Sequence, residues 1–279
     1  MTPGRQGGGD TGVPFLMFHG IDSTEESFGQ AEPGELLYVL DKNEFEACLA
    51  FMRSEGYRTI LLRDFIDWQK GIKDIPHRSI VLTFDDGHAS NVTTALPILA
   101  RNGFVAEFFI TTGFVGKPQH VTIDDLARLR ESGMGIGSHS VTHPMLNDLP
   151  ASGIRKELEE SKDFLERTLG VRVIGFSAPG GRMVDAVPDL AKAAGYEAIL
   201  TSCPGTNGRS ADPYRLRRIA MKRGVSIARR LVAGGRPGAG ERLLQGLYDL
   251  GKRRLGNERY DRLRARILRM REASPRSET

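Results

Sequence analysis

A chain of 279 residues with 39% hydrophobic content and no run of about 18 apolar residues excludes wholesale disorder and a membrane-spanning helix, and suits one α/β barrel with or without an appendage. Two cysteines, Cys48 and Cys203, exclude a disulfide framework and a Cys-x-x-Cys redox pair. The net charge of +4 is uneven: from Arg217 onward 18 Lys/Arg face 6 Asp/Glu, which leaves the preceding chain acidic.

Residues 1–12 read as a flexible, glycine-rich lead. The first apolar stretch, Val13–Phe18, is too short for the core of a secretory signal and reads as a strand, so the expected location is cytoplasmic unless a signal has been trimmed away. Strand signals then alternate with helical patterns. The expected strands are Val13–Phe18, Ser79–Phe84, Ala106–Thr111, Met134–Gly137, Arg172–Phe176, Ala198–Thr201 and Leu216–Ala220. The expected helices, from apolar residues three and four apart, are Lys42–Glu55, Asn91–Asn102, Ile123–Ser132, Gly153–Leu169 and Pro188–Ala194. Thr122 with Asp125 three residues on reads as a helix start. Gly56, Gly103, Gly133, Gly170 and Gly195 stand where left-handed caps are needed. This alternation predicts a distorted (β/α) barrel of about seven strands over residues 13–224, with chemistry at the C-terminal strand ends. Residues 225–279 are expected to form a basic helical extension, which either binds an anionic surface or is a solvated helical face.

Polar clusters stand directly after the expected strands. Asp85-Asp86-Gly87 follows Ser79–Phe84; paired carboxylates there suit a cation plus a base, although the same tripeptide makes a good turn. His139-Ser-Val-Thr-His143 follows Met134–Gly137, and histidines four apart suit a metal or form a surface pair. Asp86, His139 and His143 together make a two-histidine, one-aspartate set suited to zinc, cobalt or nickel. Ser177-Ala-Pro-Gly-Gly-Arg182 reads as a strand-to-helix turn or as a loop that brings backbone N–H groups to a substrate. His19 ends the first strand, either as a core histidine or as a general acid. His77, His88 and His120 read as loop residues, and Trp68 as helix packing.

Thr83-Phe-Asp-Asp-Gly87 and His139-Ser-Val-Thr-His143 resemble the first two motifs of the NodB-like polysaccharide deacetylases, carbohydrate esterase family 4, in order and separation. The resemblance implies a (β/α) barrel that hydrolyses the N-acetyl group of an amino sugar. It implies Asp85 as general base, Asp86, His139 and His143 as ligands of a divalent metal, usually zinc, and Pro179 with the Gly180 N–H at the oxyanion.

Two departures stand out. The family's third motif carries an arginine where this chain has Ser177, with Arg182 nearby, and no histidine after His143 can serve as the usual late acid. The poly-β-1,6-N-acetylglucosamine deacetylase branch lacks that arginine and carries its acid histidine on the first strand. Phe18-His19 is similar to the Tyr-His pair of that branch, which makes His19 the candidate acid. The expected partner is an N-acetylated amino sugar in a polysaccharide, an oligosaccharide or a lipid- or nucleotide-linked precursor. Membrane-surface contact falls to the basic extension, and no specific nucleic acid is expected. The competing reading is a carbohydrate-binding or scaffold barrel without turnover, which the loss of arginine at 177 favours and the intact Asp85, Asp86, His139 and His143 disfavour.

Overall fold

The computed structural model describes residues 12–22, 36–181 and 183–232. The glycine-rich lead up to residue 11, Arg182, and residues 233–279 of the expected basic extension lie outside the described residues.

Strands β1 (Val13–Phe18) and β5 (Ser79–Phe84) lie side by side in parallel near one end of a curled sheet. The sheet continues through β6 (Glu107–Ile110), β7 (Gly135–Ser138), β8 (Gly175–Ser177) and β9 (Ala198–Leu200), all parallel. On the other side of β1 lies antiparallel β10 (Thr206–Asn207). The short β4 (Arg58–Thr59) extends β5, and β2 (Ile21–Asp22) pairs with β3 (Leu40–Asp41) outside the main sheet. The segment expected as one strand, Leu216–Ala220, touches both ends of the curl. Leu216 bridges Leu200, while β11 (Ile219–Ala220) pairs with Leu16 and Met17 of β1. The sheet thereby curls round on itself as a distorted barrel, as expected.

The strands are buried on both sides, which explains their continuous apolar runs. Alternate residues Phe15, Val81, Phe109, Ala198 and Leu200 join one core cluster; Leu16, Leu82, Phe84 and Phe108 join a second, larger one. The larger cluster packs against α1 (Lys42–Ser54), α3 (Leu96–Asn102), α4 (Ile123–Glu131), α5 (Ala151–Leu169) and α6 (Val187–Ala193). Full burial of one such Phe or Leu side chain contributes roughly 1.5–3 kcal/mol.

Local chemistry sets the helix ends. Thr122 Oγ1 accepts from the Asp125 N–H at 3.2 Å, and Asp125 Oδ2 accepts from the Thr122 N–H at 3.0 Å, as the spacing predicted. The five glycines expected as left-handed caps all have positive φ. The stretch expected as one helix from Asn91 opens with a π-helical turn, Asn91–Ala95, and becomes α-helical from Leu96. Pro97 supplies no N–H there, and the Leu96 N–H reaches back to Asn91 O.

The helix α2 (Leu62–Gln69) was not foreseen. Its Leu62, Phe65 and Ile66 enter the smaller core cluster, and the Leu62 N–H donates to Glu107 Oε1 at 2.8 Å. Glu107, Gly135 and Gly175 begin β6, β7 and β8, so α2 plugs the N-terminal end of the barrel and leaves the C-terminal end for chemistry. A last short helix, α7 (Ile227–Val232), follows β11. Trp68 packs on Phe65 under the Arg209 guanidinium, in agreement with a packing role.

Candidate active site at the C-terminal strand ends

Four strand ends converge. β1 delivers His19, β5 delivers Asp85 and Asp86, β7 delivers His139, and β8 ends in Ser177 before Pro179 and Gly180. Asp86 Oδ1 lies 3.2 Å from His139 Nε2 and 3.4 Å from His143 Nε2. One donor atom from each of the three residues lies within 4.8 Å of the others. Asp86 holds φ +74° and His143 φ +59°, left-handed values that non-glycine residues seldom adopt.

This donor set fits a divalent cation. His139 Nδ1 lies 2.7 Å from the Ser177 carbonyl, so the N–H sits there and Nε2 turns its lone pair toward Asp86. Asp86 Oδ1 is buried and has no hydrogen-bond partner. Burial, then the charge of His139, pushes His143 down to about 4, which leaves it neutral near pH 7 as a ligand must be. Burial opposes protonation of His139 as well, but the Asp85 and Asp86 carboxylates outweigh it and raise its pKa. Burial alone would raise the Asp86 pKa; contacts with His139 and His88 hold it well below the carboxylate range. Two imidazoles and one carboxylate suit zinc, cobalt or nickel rather than magnesium or calcium.

Asp85 is only 2% exposed, and its carboxylate meets Arg218 face to face. Arg218 Nη1 donates to Oδ1 and Nη2 to Oδ2, each at 2.8 Å. Nη2 also donates to Ser177 Oγ at 2.9 Å, Nη1 to Thr83 Oγ1 at 3.2 Å, and Nε to the Thr201 carbonyl at 2.9 Å. The Ser177 hydroxyl donates to Asp85 Oδ2 at 3.1 Å. Burial alone would raise the Asp85 pKa; the Arg218 guanidinium overcomes it and keeps the carboxyl ionised.

The guanidinium missing from position 177 is therefore supplied by Arg218, beside β11 and across the barrel. Sequence reasoning looked to Arg182, which lies outside the described residues, and passed over Arg218. The signal was present: Leu216-Arg-Arg-Ile-Ala-Met221 is a buried strand sequence, and one of its two arginines has to face the interior.

His19 is half-buried with its ring centroid 5.0 Å from that of Tyr38, whose ring also carries the Lys222 ammonium 5.4 Å away. Asn91 Nδ2 donates to the His19 carbonyl at 2.8 Å, so the π-helical turn anchors the residue. His19 Nδ1 and Asn91 Oδ1 are buried without hydrogen-bond partners. Burial lowers the His19 pKa, against the attraction of Asp86 and Asp85. Gly180 stands at φ +62°, and a Cβ there would come within 2.8 Å of Met145 Sδ. His88 and His120 were expected as loop residues, with His120 solvated. His88 does lie in the turn after β5 and places Nε2 3.5 Å from Asp86 Oδ2, and His120, half-buried, stacks on it at 5.5 Å.

The family model for polysaccharide deacetylase matches residues 73–199. Those residues carry a NodB-like polysaccharide deacetylase domain. Among its relatives, YxkH of Bacillus subtilis, assigned to the polysaccharide deacetylases, is 28% identical over 77% of this chain and 73% of its own. The poly-β-1,6-N-acetyl-D-glucosamine N-deacetylase of Staphylococcus aureus is 26% identical over 57% of this chain and 60% of its own. The deacetylase PplD of Streptococcus pyogenes, solved with acetate, shares the fold with a TM-score of 0.71 and 24% identity, over 81% of this chain and 99% of that one. No helix among the described residues is long and apolar enough to cross a membrane.

Proposed function

We propose that this polysaccharide deacetylase is a metal-dependent hydrolase that removes the N-acetyl group of an amino sugar and releases acetate. The observation that carries the reading is the meeting of two units at one barrel end: the Asp86–His139–His143 set and the Asp85 carboxylate clamped by Arg218.

Asp86, His139 and His143 would hold the ion, most simply zinc, with cobalt or nickel as alternatives. A divalent ion bound there supplies Lewis acidity to the acetyl carbonyl and to the attacking water. Asp85 takes a proton from that water while oxygen bonds to the acyl carbon. Arg218 and Ser177 keep Asp85 ionised and fix its orientation; Oδ2 accepts from both, while Oδ1 accepts only from Arg218 and retains a lone pair for the water. The Gly180 N–H, in the turn opened by Pro179, donates to the developing oxyanion. His19 protonates the sugar nitrogen as the C–N bond breaks. Its lowered pKa leaves it neutral at rest near pH 7, so the proton it delivers is the one that Asp85 takes from the water and passes on. Arg218 supports turnover over a binding-only barrel, because it supplies the guanidinium that position 177 lacks.

The named activity of the Staphylococcus aureus relative makes β-1,6-linked N-acetylglucosamine the first substrate to try. The basic segment beyond residue 232 adds a second class, lipid- or nucleotide-linked N-acetyl sugars presented at a membrane face. The test is acetate release from oligomers of both β-1,6 and β-1,4 linkage and from the linked precursors. Asp85→Asn is expected to lose about 10²–10⁴-fold in kcat while still binding metal. Wild-type rates in that variant would remove Asp85 as the base.

A further inference from the structure

The segment that carries both candidate metal imidazoles is held in a backbone shape that its residues do not favour. Ser140 stands at φ +70° and His143 at φ +59°, and neither is glycine. The carbonyls of the segment turn to one side: Ser140 O accepts from the Thr112 N–H at 3.0 Å, and Val141 O from the Gly113 N–H at 2.8 Å. The approach is close enough that a Cβ on Gly113 would sit 2.5 Å from Val141 O.

The N–H groups turn to the other side, and there one side chain takes two of them. Glu157, half-buried on α5, accepts through Oε2 from the N–H groups of Val141 at 2.7 Å and Thr142 at 2.9 Å. Its Oε1 accepts from the Thr142 hydroxyl at 2.7 Å. Ser140 Oγ takes the His143 N–H at 3.0 Å, and Ser138 Oγ takes the Ser140 N–H at 3.2 Å. Ser138 in turn meets Ser161 Oγ at 2.7 Å, one helical turn along from Glu157. Neighbouring charges on α5 pair along the helix, as Arg155 with Glu159 and Lys156 with Glu160. Among the described residues Glu157 forms no ion pair, and it directs both oxygens at the loop.

We propose that Glu157 is a positioning residue for the metal site. It holds the His139–His143 loop in its left-handed turns before the ion arrives, so that the two imidazoles face Asp86 without a further backbone rearrangement. The inference rests on the reading that Asp86, His139 and His143 hold a metal. Without Glu157 the metal-free loop relaxes toward ordinary backbone angles, and the incoming ion has to restore the strained shape. The loss therefore falls on metal affinity, whereas a mere tether between helix and loop would show its loss in the stability of the metal-free protein.

The experiment uses the full chain and its Glu157→Ala and Glu157→Gln variants. Zinc and cobalt affinities are measured by competition with a chromophoric chelator, together with the visible spectrum of the cobalt form and Tm with and without metal. Glu157→Ala is expected to lose about 10–100-fold in affinity, as for partners that orient metal ligands, with Glu157→Gln in between. The Tm of the metal-free protein should change little, and the rise in Tm on adding metal should shrink. Wild-type affinity and cobalt spectrum in both variants, with or without a fall in Tm, would overturn the inference. Failure of the wild-type protein to bind metal more tightly than His139→Ala would overturn the metal reading beneath it. Should Glu157→Ala not fold, Glu157→Gln decides by the same measurements.

Discussion

The two ends of the barrel treat their buried polar groups in opposite ways. At the N-terminal end Glu107 is tied to the Leu62 N–H, and Glu197 gathers Arg63, Lys70 and Arg172. These groups join α2 and the strand starts to one another. At the C-terminal end His19 Nδ1, Asp86 Oδ1 and Asn91 Oδ1 are buried without hydrogen-bond partners, and Asp86, Ser140 and His143 hold left-handed backbone angles. Unpaired buried atoms and strained backbone are costs that a folding-only role would have removed. Polar groups at the first end serve the fold; the unpaired ones at the second fit the proposed ligand site.

Arg218 is where the two kinds of role meet, and its replacement should have the largest effect. The guanidinium is 1% exposed and neutralises a carboxylate that is also buried. Arg218→Met strands that charge, so the expected loss of stability is about 3–5 kcal/mol, read by urea unfolding. In the surviving folded fraction, acetate release should fall by roughly 10²-fold or more, because Asp85 loses both its charge partner and its orientation. A variant that is destabilised yet fully active would confine Arg218 to the fold and blur the contrast between the ends.

A smaller effect, of opposite sign, is expected at the other end. Burial pushes the Glu107 carboxyl from an ordinary 4.5 up to about 7. The folded chain then keeps a proton that the unfolded chain sheds, so stability contributed by this group falls as pH rises from about 4.5 to 7 and is flat above that. Glu107→Gln keeps the neutral form and an acceptor for the Leu62 N–H. It should stabilise the protein at pH 8 by at most about 3 kcal/mol, flatten the Tm profile between pH 4.5 and 7, and leave kcat unchanged. A fall in kcat without a change in Tm would place Glu107 in the chemistry and erase the distinction.

Legibility in the sequence followed the same division. β1 and β5 were foreseen to the residue, because both run apolar on both faces and end at sharp polar clusters. The five capping glycines and the Thr122–Asp125 helix start were equally plain, since each depends on local chemistry alone. The strand expected at Arg172–Phe176 shortens to Gly175–Ser177, because pairing with β7 and β9, not propensity, sets its limits. The two-residue strands β2, β3, β4 and β10 leave no periodicity to detect. α2 escaped because its N-cap, Leu61, has no side-chain acceptor; Asp64 Oδ2 takes the Leu61 N–H instead.

At the site, His19, Asp85, Asp86, His139 and Ser177 were visible as polar residues at strand ends, and His143 by its spacing from His139. Arg218 and Glu157 were not, because each reaches its partners from an element distant in sequence. Only the closed barrel shows which of two adjacent arginines faces inward, and only the packing of α5 brings Glu157 to the histidine loop.

The central claim, that the open end is a metal hydrolase site, is tested most directly by acetate release from an N-acetylglucosamine oligomer before and after metal removal. Chelator-stripped protein should release no acetate, a stoichiometric addition of zinc or cobalt should restore turnover, and His139→Ala should not recover at that metal concentration. Undiminished release by the stripped protein, or equal recovery in His139→Ala, would contradict the account.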